Sequence, residues 1–180
     1  GWVNEPWQVG LYAPGGEHVT RMYVRAEASP PNDGRGWATA FRDLQEALSL
    51  AQPNTEIWVA AGTYRPDRGT GAREASFRLK NGVRLLGGFA GTEIGLDQRD
   101  PNRYETILTG DLKGDDGPNF TNCDDNSYHV LCAERLDPAN TVLDGFVITG
   151  GNANGPGPEL TYNRDRCGAG LLGGDLTLIR

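Results

Sequence analysis

The sequence predicts an all-β chain: a right-handed parallel β-helix, or solenoid, with one N-terminal capping α-helix. Three observations predict it. Short apolar runs return along most of the chain, namely "IWVAAGTY", "FRLKNGVRLLGGF", "TILTGD", "YHVLCAE", "TVLDGFVITGG" and "GAGLLGGDLTLI". Their central residues Ile57, Val83, Ile107 and Val130 are separated by about 26, 24 and 23 positions, within the range that marks stacked repeats. The segments between them are rich in Gly, Asn and Asp, residues that accept the tight corners such a winding needs.

Composition bounds the rest. The chain has 180 residues, enough for one core, and its 26 Gly and 11 Pro make it turn-rich. With 37% hydrophobic residues it can still fold, which excludes whole-chain disorder. The formal charge of −7 excludes nucleic acid and anionic membrane as partners, since both would repel it. No apolar run approaches the about 18 residues of a transmembrane segment, and no signal peptide is visible. The chain begins at Gly1 rather than Met, which reads as processing or trimming and is compatible with secretion.

In chain order, residues 1–21 read as an extended N-terminal arm carrying Trp2, Trp7, Leu11 and Tyr12 among Pro and Gly without a helical period. Residues 22–180 read as a single β-helix domain. "MYVRAEAS", Met22 to Ser29, alternates as a strand does. Trp37, Phe41, Leu44, Leu48 and Ala51 then recur at steps of four and three, the stripe of an amphipathic helix over about 39–52. Gln52 ends it, because a residue before proline is driven out of the α region. "TEIWVAAGTY", Thr55 to Tyr64, reads as one half-buried strand that opens the coils, which run from about 55 to 180. A leucine-rich repeat would require a signature that is missing, and propeller blades about twice the spacing. The helix would close one end of the stack, whereas the strand in "GGDLTLIR" runs bare to Arg180, so the chain is either a fragment or covered there by a neighbour.

The blocks "YVRAEASPPNDGRGWATAFRDLQEAL", "EIWVAAGTYRP", "FRLKNGVRLLGGFAGTE", "RDPNRYETILTGD", "DNSYHVL" and "TVLDGFVITGGNANG" carry a resemblance. From about Tyr23 to Gly155 the chain resembles the N-terminal region of secreted bacterial proteins with right-handed parallel β-helix repeats, related in pattern to polymorphic outer-membrane-protein-like repeat proteins. The resemblance implies a capped β-helix in a secreted or cell-surface setting, and a surface module of unassigned activity.

Chemistry is sparse. Polysaccharide cleavage, which enzymes of that fold perform, needs converging carboxylates. Asp124 and Asp125 with His129 nearby offer a bare pair, without the further motifs hydrolases or lyases of that fold display. Fold does not supply function. Cation binding has a better basis: Asp111, Asp115, Asp116, Asp124 and Asp125 fall within "GDLKGDDGPNFTNCDDN", and Ca²⁺ takes oxygens of this kind, although the spacing is not an EF-hand. Alternatively this is a solvated acidic loop. Of the three cysteines, Cys123 and Cys167 sit in polar surroundings and are expected to pair, with Cys132 free and buried. Unpaired thiols are the alternative.

The leading expectation is a non-catalytic structural or interaction module, secreted or at the cell surface, whose partners are copies of itself or other surface components. Trp2, Trp7, Leu11 and Tyr12 of the arm and Leu176 and Leu178 of the bare last strand are the expected assembly residues, joining head to tail into an oligomer or filament through strand addition. The alternative is a carbohydrate-binding or polysaccharide-cleaving protein, with Tyr64, Tyr104, Tyr128 and Tyr162 as an aromatic platform.

Overall fold

A computed structural model describes residues 10–12, 18–133, 136–137, 139–155, 169–173 and 177–179. Among the described residues, twelve strands fall into three sheets. The large sheet contains β1 (Gly10–Tyr12), β2 (His18–Val24), β3 (Thr55–Ala60), β6 (Val83–Phe89), β9 (Val142–Asp144) and β12 (Thr177–Ile179), in that spatial order. The second holds β4 (Gly62–Tyr64), β7 (Thr106–Thr109) and β10 (Val147–Thr149), and the third β5 (Phe77–Arg78), β8 (Leu131–Ala133) and β11 (Leu171–Gly173). Every strand pair is parallel except β1 with β2, which is antiparallel. From β3 onward, consecutive strands join the three sheets in turn.

The helix is shorter than its apolar stripe. α1 covers Leu44–Leu50, with Asp43 as N-cap accepting from the Gln45 amide at 2.8 Å. Trp37–Thr39 form a separate 3₁₀ turn. Phe41 is withdrawn into strand pairing, its N–H donating to Tyr23 O and its carbonyl accepting from Arg25 N, both at 2.8 Å. These tertiary bonds satisfy backbone that a longer helix would have used for itself. Leu44, Ala47 and Leu48 are buried in the main core, where α1 packs against β2, β3 and β5.

The expectation of an all-β, right-handed parallel β-helix solenoid with a capping helix is corrected by these findings. What is present is a mixed arrangement of three short parallel sheets, with strands of two to seven residues, and one seven-residue helix inside the shared core. Apolar spacing reports how often the chain returns to a buried layer, and it does not distinguish a uniform coil from this less regular arrangement. Strand β2 also begins inside the segment expected to be arm.

Thr55 to Tyr64 is likewise not one half-buried strand but two strands of two different sheets, β3 and β4. All six residues of β3 are buried because the large sheet is covered on both faces. Ile57 and Val59 point into the main core with Val24, Phe41, Val83, Leu85, Leu108, Val130 and Leu143. Trp58, one step out of phase, points the other way and packs with Leu86 and Phe89, flanked by Tyr23, Trp37, Leu96 and Val142. The Trp58 and Phe89 rings stack at 4.6 Å with planes 14° apart. That contact depends on a bulge: Trp58 pairs with Leu86 but Ala60 with Phe89, so β6 holds one extra residue at Gly87–Gly88. Gly88 has φ +86°, and a Cβ on Gly87 would lie 2.3 Å from the Gly145 carbonyl oxygen.

Candidate metal centre in the 111–125 loop

Strand β7 ends at Thr109, and its continuation places Asp111 at the start of a loop that returns through two 3₁₀ turns, Pro118–Phe120 and Cys123–Asp125. The loop is closed by its own polar groups. Asp111 Oδ1 accepts from the backbone N–H of Gly114 at 2.7 Å and of Asp115 at 3.1 Å, and Oδ2 from that of Asp116 at 3.4 Å. Arg65 Nε donates to the Asp111 carbonyl at 2.7 Å, tying the loop to the segment after β4. Asn122 Nδ2 donates to the Asp115 carbonyl at 2.9 Å. Asn119, Phe120 and Asn122 all take positive φ, and Phe120 is 90% exposed at the tip.

This closure brings together three of the five aspartates the sequence singles out. One carboxylate oxygen from each of Asp111, Asp115 and Asp125 lies within 4.8 Å of the others. Asp116 is turned aside to accept from Asn126 Nδ2 at 2.8 Å, and Asp124 is exposed. Lys113 Nζ lies 4.0 Å from Asp125 Oδ1 and is itself largely exposed. Two side-chain oxygens of adjacent residues in this loop have no hydrogen-bond partner: Asp125 Oδ2, and Oδ1 of Asn126, a residue only 1% exposed. Removing such acceptors from water without a donor is costly, and a cation satisfies both kinds of oxygen.

Other expected site residues are placed differently. Cys123 holds its thiol half-buried, 3.1 Å from the Phe120 carbonyl, while Cys167 lies outside the described residues, and the expected Cys123–Cys167 bridge with it. Cys132 is buried as expected, its sulfur 3.2 Å from Ser76 Oγ. Tyr64 and Tyr128 are buried, Tyr64 donating to the Ala60 carbonyl and Tyr128 lying beneath the Arg73 guanidinium, so neither offers a face for a sugar. Tyr162 lies outside the described residues, as do Trp2, Trp7 and Leu176. Leu11 and Tyr12 belong to β1, paired with β2 of their own chain, and Leu178 belongs to β12, opposite Leu143. His129 is buried.

Two constellations were missed in the sequence. Glu56 is buried on β3, where Arg21 at 3.4 Å, Arg84 and Trp58 Nε1 at 3.1 Å all address its carboxylate. The charged flanks of β2 and β6 were its only trace, and register was needed to bring them together. Glu93 accepts from the backbone N–H groups of Ala90, Gly91 and Thr92. Burial alone would raise this carboxyl, but the backbone donors outweigh it and hold it below its usual range.

Comparison of the chain with protein-family models, with curated proteins and with solved structures finds no match in any of the three.

Proposed function

We propose that the chain is a non-catalytic interaction module that works outside the cytoplasm and binds Ca²⁺ through its 111–125 loop. The observation that carries this reading is the meeting of Asp111, Asp115 and Asp125 within 4.8 Å, with Asp125 Oδ2 buried and without a hydrogen-bond partner. Mutual repulsion among carboxylates at this separation is relieved by a cation, and loop carbonyls with water complete the six to eight oxygens Ca²⁺ prefers. Partly exposed sites of modest charge fall in the weak class, with dissociation constants on the order of 10⁻⁴ to 10⁻³ M, matched to the calcium concentrations outside cells. Lysine and arginine near the loop, Lys113 and Arg65, keep the affinity in that range.

Self-association by strand addition belongs to the same reading, with β12, whose described neighbour is β9, as the strand to which a second copy would add. Strand β1 already occupies the opposite edge of the large sheet. Titration of ¹⁵N-labelled protein with CaCl₂, and in parallel with MgCl₂, tests the proposal. Saturable shifts at residues 111–126 with CaCl₂, larger than those with MgCl₂, are expected. Shifts that stay linear with added salt, or that also appear in the Asp111→Asn variant, would overturn it.

A further inference from the structure

A second ligand site follows from a cleft of about 660 Å³ formed where the chain leaves β2, β3 and β6, and it does not depend on the calcium reading. We propose that this cleft binds a small carboxylate-bearing molecule on the guanidinium of Arg25, with an α-amino acid as the preferred class. Its walls are Ala26, Ala60, Ala61, Gly62 and Ala90, all too small to fill it, with Thr63 and Glu27 exposed at the rim. The volume lies within the range of small-molecule sites, roughly 300 to 1,000 Å³.

Arg25 is set apart from the other partly buried arginines. Arg21 and Arg99 also have a buried Nε without a partner, but each pairs through its terminal nitrogens, Arg21 with Glu56 and Arg99 with Asp144. Among the described residues Arg25 has a buried Nε, no hydrogen bond from its side chain and no carboxylate partner. Arg25 lines the cleft, and among the described residues its terminal nitrogens have no hydrogen-bond or carboxylate partner, so they are the charged donors an anion in the cleft can meet. The side chain is also positioned: a Cβ on Gly91, which has φ +93°, would lie 3.3 Å from Arg25 Cδ, so glycine there admits the Arg25 stem. Among the described residues no carboxylate forms an ion pair with the Arg25 guanidinium; Glu27 stands at the rim, and Glu93 is engaged by the backbone N–H groups of Ala90, Gly91 and Thr92. Tyr64 donates its hydroxyl to the Ala60 carbonyl at 2.9 Å, and burial pushes its phenol up to about 12, so it remains uncharged at neutral pH.

The chemistry of the walls selects the ligand. A guanidinium fork matches the two oxygens of a carboxylate, and the alanine methyls suit a short apolar side chain. Glu27 at the rim repels a multiply charged anion and attracts an ammonium group. A zwitterion satisfies both ends; phosphate does not.

The test is a titration of ¹⁵N-labelled protein with L-alanine, sodium acetate and inorganic phosphate at constant ionic strength. Saturable shifts at Ala61, Gly62, Thr63 and Gly91 are expected with L-alanine, weaker ones with acetate, and none with phosphate. Arg25→Gln should weaken L-alanine by about tenfold or more, as loss of a charge-assisted pair does. Arg25→Lys, which keeps the charge and loses the fork, should fall between the two and carries the test if Arg25→Gln does not fold. Glu27→Gln, an exposed change, should reduce L-alanine to the level of acetate. Absence of saturable shifts, equal binding by Arg25→Lys and the parent, or tighter binding of phosphate than of L-alanine would overturn the proposal.

Discussion

The Trp58 region of the large sheet and the 111–125 loop are built on opposite rules. Around Trp58 the chain places large rings against each other across a glycine bulge, with the Glu56 carboxylate and the two indole N–H groups all given partners. In the loop, aspartates crowd together and two adjacent oxygens are left without donors. Stability is concentrated where large apolar area is buried, while binding potential resides where carboxylates crowd together. Substitutions in the two regions should therefore separate stability from ligand response.

The largest effect is expected from Trp58→Ala. Emptying a fully buried indole site costs about 3–5 kcal/mol, which chemical denaturation would register as a lowered midpoint, with the calcium shifts of any remaining folded protein unchanged. A midpoint equal to that of the parent would refute the ranking of the two regions. Gly87→Ala comes next: its methyl would meet backbone, the Gly145 carbonyl oxygen, and the strain should cost about 1–3 kcal/mol by the same measurement.

Glu93 sharpens the comparison through pH. Its folded-state carboxyl lies below the ordinary value of 4.5, so it contributes stability that is present above pH 4.5 and lost as pH falls through the folded value. Glu93→Gln should flatten the acid limb of the stability curve below that pH; superimposable acid limbs would show that the backbone cradle contributes nothing. The smallest stability effect belongs to Asp115→Asn, an exposed change expected to stay within about 0.5 kcal/mol without calcium. With CaCl₂ in excess the parent should gain thermal stability that this variant lacks. A variant stabilised as much as the parent would remove Asp115 from the ligand set.

Much of the layer structure was legible in the sequence, because apolar runs mark returns to a core. Strand positions near Ile57, Val83, Ile107 and Val142 follow from them. What the runs could not carry was partnership. Phe41 sits on the helical stripe, yet hydrogen bonds to Tyr23 and Arg25 draw it into extended structure. In "TEIWVAAGTY" the one sign of the corner between two sheets is Gly62, which takes φ +147° directly after Ala61. In the loop, composition identified the acidic residues but not which would converge: Asp116 departs because Asn126 claims it, and only folding brings those two together. Arg25 gave no signal at all, since its isolation is defined by the absence of carboxylates from other strands.

The parallel pairing has a kinetic consequence. Thr55 meets Val83, Phe77 meets Leu131, and Arg84 meets Val142, so no strand from β3 onward can complete its ladder with its immediate successor. Each of β3 to β9 must wait for a segment synthesised much later, and every such closure loses chain entropy before any contact returns it. Emergence from the ribosome should thus leave β3 paired on its β2 side alone until β6 follows, and refolding should be slow for a chain of this size.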